Sequence, residues 1–236
     1  MNANRPLCAP AIALASVLAA LSIAAATPSP PDVDPANFVR GVDNPYFPLE
    51  PGTTFVYEGT KEGVPTHDEI HVTHETKVIL GVSCIVLHHQ AFENGTLVED
   101  TFDFHAQDAD GNVWYFGEDT RELDPAGNVI STEGSWEAGV NDADAGIIME
   151  AHPRVSDRYY QEFLPGVAED QARVLSLQES VCVGYGCFDG VLLTKETTSL
   201  EPGAVEQKYY AKGVGFVLGV AIKGSNERSE LIAVNH

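Results

Sequence analysis

The sequence predicts an all-β fold, a large, curved antiparallel meander or open barrel of roughly twelve strands. Three observations carry this. Apolar and polar residues alternate over short segments, while the i, i+3, i+4 spacing of a helix is nearly absent. Turn chemistry recurs throughout, at Pro51-Gly52, Asn94-Gly95, Asp110-Gly111, Ala126-Gly127, Gly184-Tyr185, Pro202-Gly203 and Gly224-Ser225. The chain has 236 residues, 44% of them apolar, enough to bury a sizeable core.

The chain divides unevenly. Residues 1–26 read as a secretory signal peptide: Arg5 is the only charge, Ala11 to Ala26 is an Ala/Leu-rich run, and Ala24-Ala25-Ala26 fits a small-residue cleavage site. An exported location, periplasmic or extracellular, follows. Residues 27–40 read as an N-terminal linker with a short helical turn near Asp34 to Val39, and residues 41–236 as a single all-β domain. The stretch 137–170, rich in Gly, Asp and Pro, is the least regular. It reads as a long loop, a lid or a crossover between halves of one sheet.

The formal net charge is −22. Without runs of Lys or Arg, nucleic acid is disfavoured as a partner, and an anionic membrane surface would repel the chain. Cations and basic or neutral partners are compatible with it. No segment after the signal peptide is apolar enough to serve as a transmembrane helix.

In an oxidising compartment the close pair Cys182 and Cys187 reads as a disulfide. A two-residue turn at Gly184-Tyr185 would set the two cysteines directly opposite each other. Cys84, inside Val82-Ser83-Cys84-Ile85-Val86-Leu87, reads as a small buried hydrophobe.

Turn chemistry then fixes an expected register. Asp108-Ala-Asp-Gly-Asn112 and Asp124-Pro-Ala-Gly-Asn128 share one spacing, that of a type I turn closed by a left-handed Gly. The first also resembles half of a calcium loop. Val113 stands where such a loop needs Gly, and no helices flank it. Closing the hairpins at Asn94-Gly95, Asp108–Asn112 and Asp124–Asn128 sets Gln90 opposite Glu99, His88 opposite Thr101, Cys84 opposite His105, Thr101 opposite Asp119 and Asp119 opposite Glu133. His88, Asp103, His105, Asp119 and Glu133 would then share one polar face with Cys84 and Tyr115. Ile85, Leu87, Val98, Phe102, Phe104, Trp114 and Phe116 would form the core on the other face. Neighbouring carboxylates destabilise a bare sheet. Arg121 or a bound divalent cation would relieve them, and with the two histidines a transition metal becomes a candidate. His67, Glu69 and His71 alternate on one strand face and form a second candidate metal set, or simply a polar outer surface. Trp114, Tyr115 and Phe116 read as core residues or as a stacking platform.

Asp43-Asn44-Pro45-Tyr46-Phe47-Pro48-Leu49 with Pro51-Gly52-Thr53, Gly111-Asn112-Val113-Trp114-Tyr115-Phe116-Gly117-Glu118 and Lys208-Tyr209-Tyr210-Ala211-Lys212-Gly213-Val214-Gly215 resemble a family of exported bacterial proteins of uncharacterised function. The resemblance covers most of the chain after residue 37 and transfers no catalytic residue. The last string is also similar to the closing strands of the periplasmic lipoprotein-carrier (LolA-like) fold, which implies a concave sheet face that holds a ligand or covers a helix.

Three functions fit these readings: a non-catalytic binding protein for a divalent cation or small ligand, a metal-assisted hydrolase, and a cell-envelope interaction module. The first leads. Ligand, catalysis and oligomeric state have no signature in the sequence.

Overall fold

The structure, a computed structural model, describes residues 32–236; the signal peptide expected at 1–26 lies outside the described residues. The described chain is nearly all antiparallel β. Sixteen strands form one sheet that curls into an almost closed barrel. The excess over the expected twelve comes from short strands. The only helical element among the described residues is a 3-10 turn at Pro35–Asn37, capped by Asp34 Oδ1 accepting from Ala36 N at 3.0 Å.

Strand β1 (Phe38–Val39) pairs with β5 (Thr96–Asp108), so the end of the expected linker joins the sheet. The long strands β2 (Thr54–Lys61), β3 (Val64–Ile79), β4 (Val82–Glu93), β5 and β6 (Val113–Leu123) run as a meander. The second half, β12 (Asp170–Val183), β13 (Gly186–Thr198), β14 (Val205–Ala211), β15 (Gly215–Lys223) and β16 (Glu227–Asn235), is another meander, and β16 returns to β2. β7 (Val129–Ser131) and β8 (Trp136–Glu137) are short partners of β6.

Residues 137–170 close the barrel. β9 (Asp144–Met149) pairs with β6. The segment that holds β10 (Arg158–Tyr160) and β11 (Glu162–Phe163) pairs with β12 through its first half and with β9 through its second. One short piece of chain thus touches both free edges of the sheet and leaves little unpaired edge. Gly146 permits the seam, because a Cβ there would fall 2.4 Å from the Gln161 carbonyl.

The string Asp43–Leu49 folds over the barrel end where the 108–113 and 211–215 turns lie. Its anchor is buried Asn44, whose Nδ2 donates to the Gly111 carbonyl at 2.9 Å and whose Oδ1 accepts from Tyr46 N at 2.9 Å. Gly213 N donates to the Pro45 carbonyl at 2.7 Å and ties the β14–β15 turn to this cap.

The core has two parts. Inside the barrel lie Phe55, Tyr57, Val72, Leu87, Leu192, Val217 and Leu231. Outside the β4–β5–β6 sheet, Cys84, Val86, Phe104, Ala106, Trp114 and Phe116 form a second layer, on which Val33 and Phe38 pack. Phe38 sits 5.5 Å from both the Trp114 and Phe116 rings. This meander is therefore apolar on both faces, which a simple in/out alternation does not express.

All three hairpin turns form as expected, and each is followed by a one-residue bulge. Phe92 opposes Leu97, yet Ala91 opposes Glu99. His105 opposes Tyr115, yet Phe104 opposes Gly117. Leu123 opposes Val129, yet Glu122 opposes Ser131. The extra residues are Val98, Phe116 and Ile130. A bulge adds one residue to one strand, so every side chain beyond it changes its partner.

Candidate functional site

The bulges redistribute the expected polar row. His88 opposes Phe102, and Phe102 opposes Asp119, on the outer face. Thr101 opposes His89 and Thr120 on the inner face, where it is 2% exposed. Glu133 lies in a turn, outside any strand. The pairs His88–Thr101, Thr101–Asp119 and Asp119–Glu133 are thus replaced. Of the five expected ligand residues, Asp103 and His105 point into the barrel, while His88 and Asp119 lie on its outside. Among the described residues no group of three or more His, Cys, Asp or Glu side chains is arranged to hold a metal ion.

Each outer residue has a nearer partner. His88 Nε2 lies 2.7 Å from Asp100 Oδ1, and its ring stacks on Phe102 at 4.5 Å. Asp119 Oδ2 accepts from Arg121 Nη2 at 2.9 Å, one of the two reliefs expected for its charge. His67 pairs with Glu69 at 3.2 Å, while His71 Nδ1 lies 2.9 Å from Thr54 Oγ1, so the second candidate metal set is split as well. Asp108 spends both carboxylate oxygens on its own turn and on Trp114: Oδ1 accepts from Asn112 N at 2.8 Å and Oδ2 from Trp114 Nε1 at 2.9 Å. Asp124 holds Asn128 N at 2.9 Å in the same way, so both turns are capped hairpins.

The cysteines behave as structural residues. Cys182 and Cys187 face each other and are bridged. Cys84 is buried and unbridged; burial pushes its thiol up to about 12, far from a nucleophile's range. It opposes Lys77, and Ile85 takes the expected place opposite His105, so no thiol–imidazole pair forms.

The inner face instead builds a cavity of about 300 Å³ within the barrel. One part of its wall is apolar: Phe47, Pro48 and Leu49 from the cap, with Phe55, Ile70, Leu87 and Phe216 from the strands. Another part is polar: His89, Asp103, His105, Tyr115 and Lys208. Alternation along β4, β5 and β14 delivers these groups to one side, and Tyr115 joins them because it precedes the bulge.

The polar wall is a network. His89 Nε2 lies 3.1 Å from Asp68 Oδ1. Burial opposes a charge on His89, but the hydrogen bond to Asp68 and the charges of Asp103, Asp68 and Glu99 outweigh it and hold the imidazole's pKa above its ordinary value. Tyr115 Oη lies 2.6 Å from Asp103 Oδ1 and 3.0 Å from Glu118 Oε2. A phenol has one proton to donate. Both contacts are hydrogen bonds at once only when a carboxyl carries a second proton. Glu118 is suited to carry it: burial, then the charge of Asp103, push it up to about 7. Burial also raises Asp103, against the pull of His89 and Tyr115. Glu162, partly buried near Asp170 and Glu118, is pushed up to about 8, chiefly by desolvation, and accepts from Trp136 Nε1 at 3.1 Å.

Lys208 lines the cavity and binds Glu196 Oε2 at 2.8 Å and Glu206 Oε2 at 3.5 Å. Burial would strip its proton, but the two glutamates hold its pKa well above the ordinary lysine value. Its side chain keeps 30% exposure although strands surround it, as expected when water enters the barrel. Glu196 and Glu206 also line a second cleft of about 190 Å³ on the far side of this ion pair.

His105 differs from its neighbours. It is 5% exposed, stacked on Tyr115 at 4.6 Å with the tilted Phe47 ring at 5.4 Å, and burial pushes its imidazole down to about 3. The ring is therefore neutral, and Nδ1 has no hydrogen-bond partner. His89, Glu118 and Lys208 were not singled out from the sequence as site residues. Glu118 was legible as an acid in an aromatic strand, but only the register and the closure of the barrel bring it to Tyr115.

No protein-family profile and no curated protein matches the chain. Among solved structures, a Bacteroides fragilis protein described as exported, with a YmcC-like fold, is similar at TM-score 0.48 and 14% identity, over 81% of this chain and 99% of that one. A Parabacteroides distasonis protein described as a lipoprotein is similar at TM-score 0.40 and 12% identity, over 80% of this chain and 98% of that one. No helix of the described residues is long and apolar enough to cross a membrane.

Proposed function

We propose that this chain is a non-catalytic binding protein whose barrel interior holds a small molecule with an apolar body and one polar end. The observation that carries this reading is the cavity of about 300 Å³, apolar on one side and lined on the other by His89, Asp103, His105, Tyr115 and Lys208. Its size falls at the lower end for small-molecule sites, and an apolar wall with a few convergent polar groups is their usual composition. An exported location is supported by the signal-like N-terminus and by the Cys182–Cys187 bridge.

The test uses N-phenyl-1-naphthylamine, a neutral apolar dye that brightens out of water. Saturable 1:1 enhancement is expected with the mature chain, and loss of it in Leu87→Trp or Ile70→Phe, which place bulk in the cavity. Unchanged dye fluorescence, or equal binding by variants that still fold, would remove the reading. A divalent cation remains the alternative ligand. A rise in Tm with Ca²⁺ or Zn²⁺ that EDTA reverses and Asp119→Asn abolishes would favour it.

A further inference from the structure

We propose that the ligand of this cavity is an amine, its protonated nitrogen held at Asp103 and its aromatic or alkyl body laid against Leu87 and Phe216. This rests on the reading that the cavity binds a small molecule, and specifies the charge of that molecule.

The first argument is the availability of donors and acceptors. Both cations on the wall are already engaged: His89 with Asp68 at 3.1 Å, and Lys208 with Glu196 and Glu206 at 2.8 and 3.5 Å. Lys208 is already neutralised by two carboxylates and His89 by one, so an anionic head group would meet acidic neighbours wherever it found a donor. Asp103 makes no ion pair among the described residues; His89 reaches it by charge alone, and Tyr115 engages one of its oxygens at 2.6 Å. A carboxylate in this position gains from a cation that the protein does not supply.

The second argument is His105. Its ring is neutral and lies on the cavity wall, on the same strand face as Asp103. It therefore sets no positive charge beside that carboxylate to compete with a ligand's ammonium. The third is the aromatic wall: Tyr57, Tyr210 and Phe216 line the cavity, and aromatic rings attract cations through their faces.

The experiment compares three probes with one body: 4-phenylbutylamine, 4-phenylbutan-1-ol and 4-phenylbutyrate, each displacing N-phenyl-1-naphthylamine from the mature chain. The amine is expected to displace the dye at a concentration at least about tenfold below that of the carboxylate, with the alcohol between them. Asp103→Asn, which preserves shape and the acceptor for Tyr115, is expected to bring amine and alcohol within about threefold of each other. Glu118→Gln, one residue further from the cavity, repeats the test in case the first variant folds poorly. If the carboxylate matches or outcompetes the amine, or if both variants keep the full amine preference, the inference falls. If the dye and the alcohol bind but the amine gains nothing, the amine inference alone falls and the cavity reading stands. If neither dye nor probes bind, both fall.

Discussion

His88 and His89 are adjacent in the chain and stand on opposite faces of the same strand. Each holds a carboxylate through Nε2, His88 with Asp100 at 2.7 Å and His89 with Asp68 at 3.1 Å. Each sits in a meander rich in acids. On the outer face, His88 stacks on Phe102 beside a polar surface. On the inner face, His89 joins Asp103, Tyr115 and Lys208 around a cavity. A histidine–carboxylate pair is therefore no mark of a site by itself. The two pairs are about equally exposed, and what distinguishes them is their neighbours: His88 stacks on a phenyl ring, while Asp103 and Glu99 add their charge to that of Asp68 around His89 and hold its pKa up.

The sharpest way to break this comparison is to attack the bulge that decides which β6 side chains join each face. Gly117 has φ +139°, and a Cβ there would fall 2.3 Å from the Trp136 carbonyl oxygen. Gly117→Ala is expected to cost about 3 kcal/mol, from a strained backbone and a backbone clash together. Urea unfolding would measure it. A loss under about 0.5 kcal/mol would mean that the β5–β6 register does not depend on this residue.

A smaller effect sharpens the electrostatic half of the comparison. Glu118 and Glu162 titrate near 7 and 8 in the folded chain, above the ordinary carboxylate value, chiefly through burial. The folded state then binds more protons than the unfolded state as pH rises from the ordinary glutamate range to about 8. Stability should fall across that window, by about 1–3 kcal/mol per group. His89, with its pKa raised in the folded state, acts in the same direction, its contribution being lost as pH rises through its folded value. Thermal unfolding between pH 5 and pH 8.5 is expected to show a declining Tm, and Glu118→Gln and Glu162→Gln to flatten the decline. A Tm that rises across the window would place these carboxyls in contact with water or with an unrecognised cation.

The smallest effects compare the two imidazoles directly. His89→Ala leaves Asp68 without its partner at the cavity wall and is expected to cost about 1–2 kcal/mol. His88→Ala removes an outer pair and one ring stack, and is expected to cost under about 1 kcal/mol. Dye binding in the cavity should change in the first variant and persist in the second. Equal costs, with dye binding equally affected, would erase the distinction between the faces.

Much of this molecule was legible in its residues. Alternation gave the strands. Asn94-Gly95, Asp108–Asn112 and Asp124–Asn128 gave the three turns, and Cys182 and Cys187 flanking Gly184-Tyr185 gave the bridged hairpin. The 3-10 turn near Asp34 and the buried Cys84 were legible as well. The stretch 137–170, read as loop, lid or crossover, proved to hold the strands that close the barrel. The register beyond each turn was misread because Val98, Phe116 and Ile130 enter the strands as extra residues. Each is apolar and strand-forming, and nothing local marks it as a bulge. His88, Asp103, His105, Asp119 and Glu133 were accordingly expected together, and the structure brings only Asp103 and His105 to the same cavity.

What the sequence determined by itself is whatever a few neighbouring residues settle through their own backbone preferences and side-chain caps: strands, turns and the local disulfide. What only the tertiary structure decided is which face of each strand looks inward, and therefore which of two adjacent histidines meets a cavity. That choice depends on bulges stabilised by distant packing and on a seam joining residues 158–163 to both sheet edges. Such contacts are long-range, and their energies become visible only once the sheet has curled on itself.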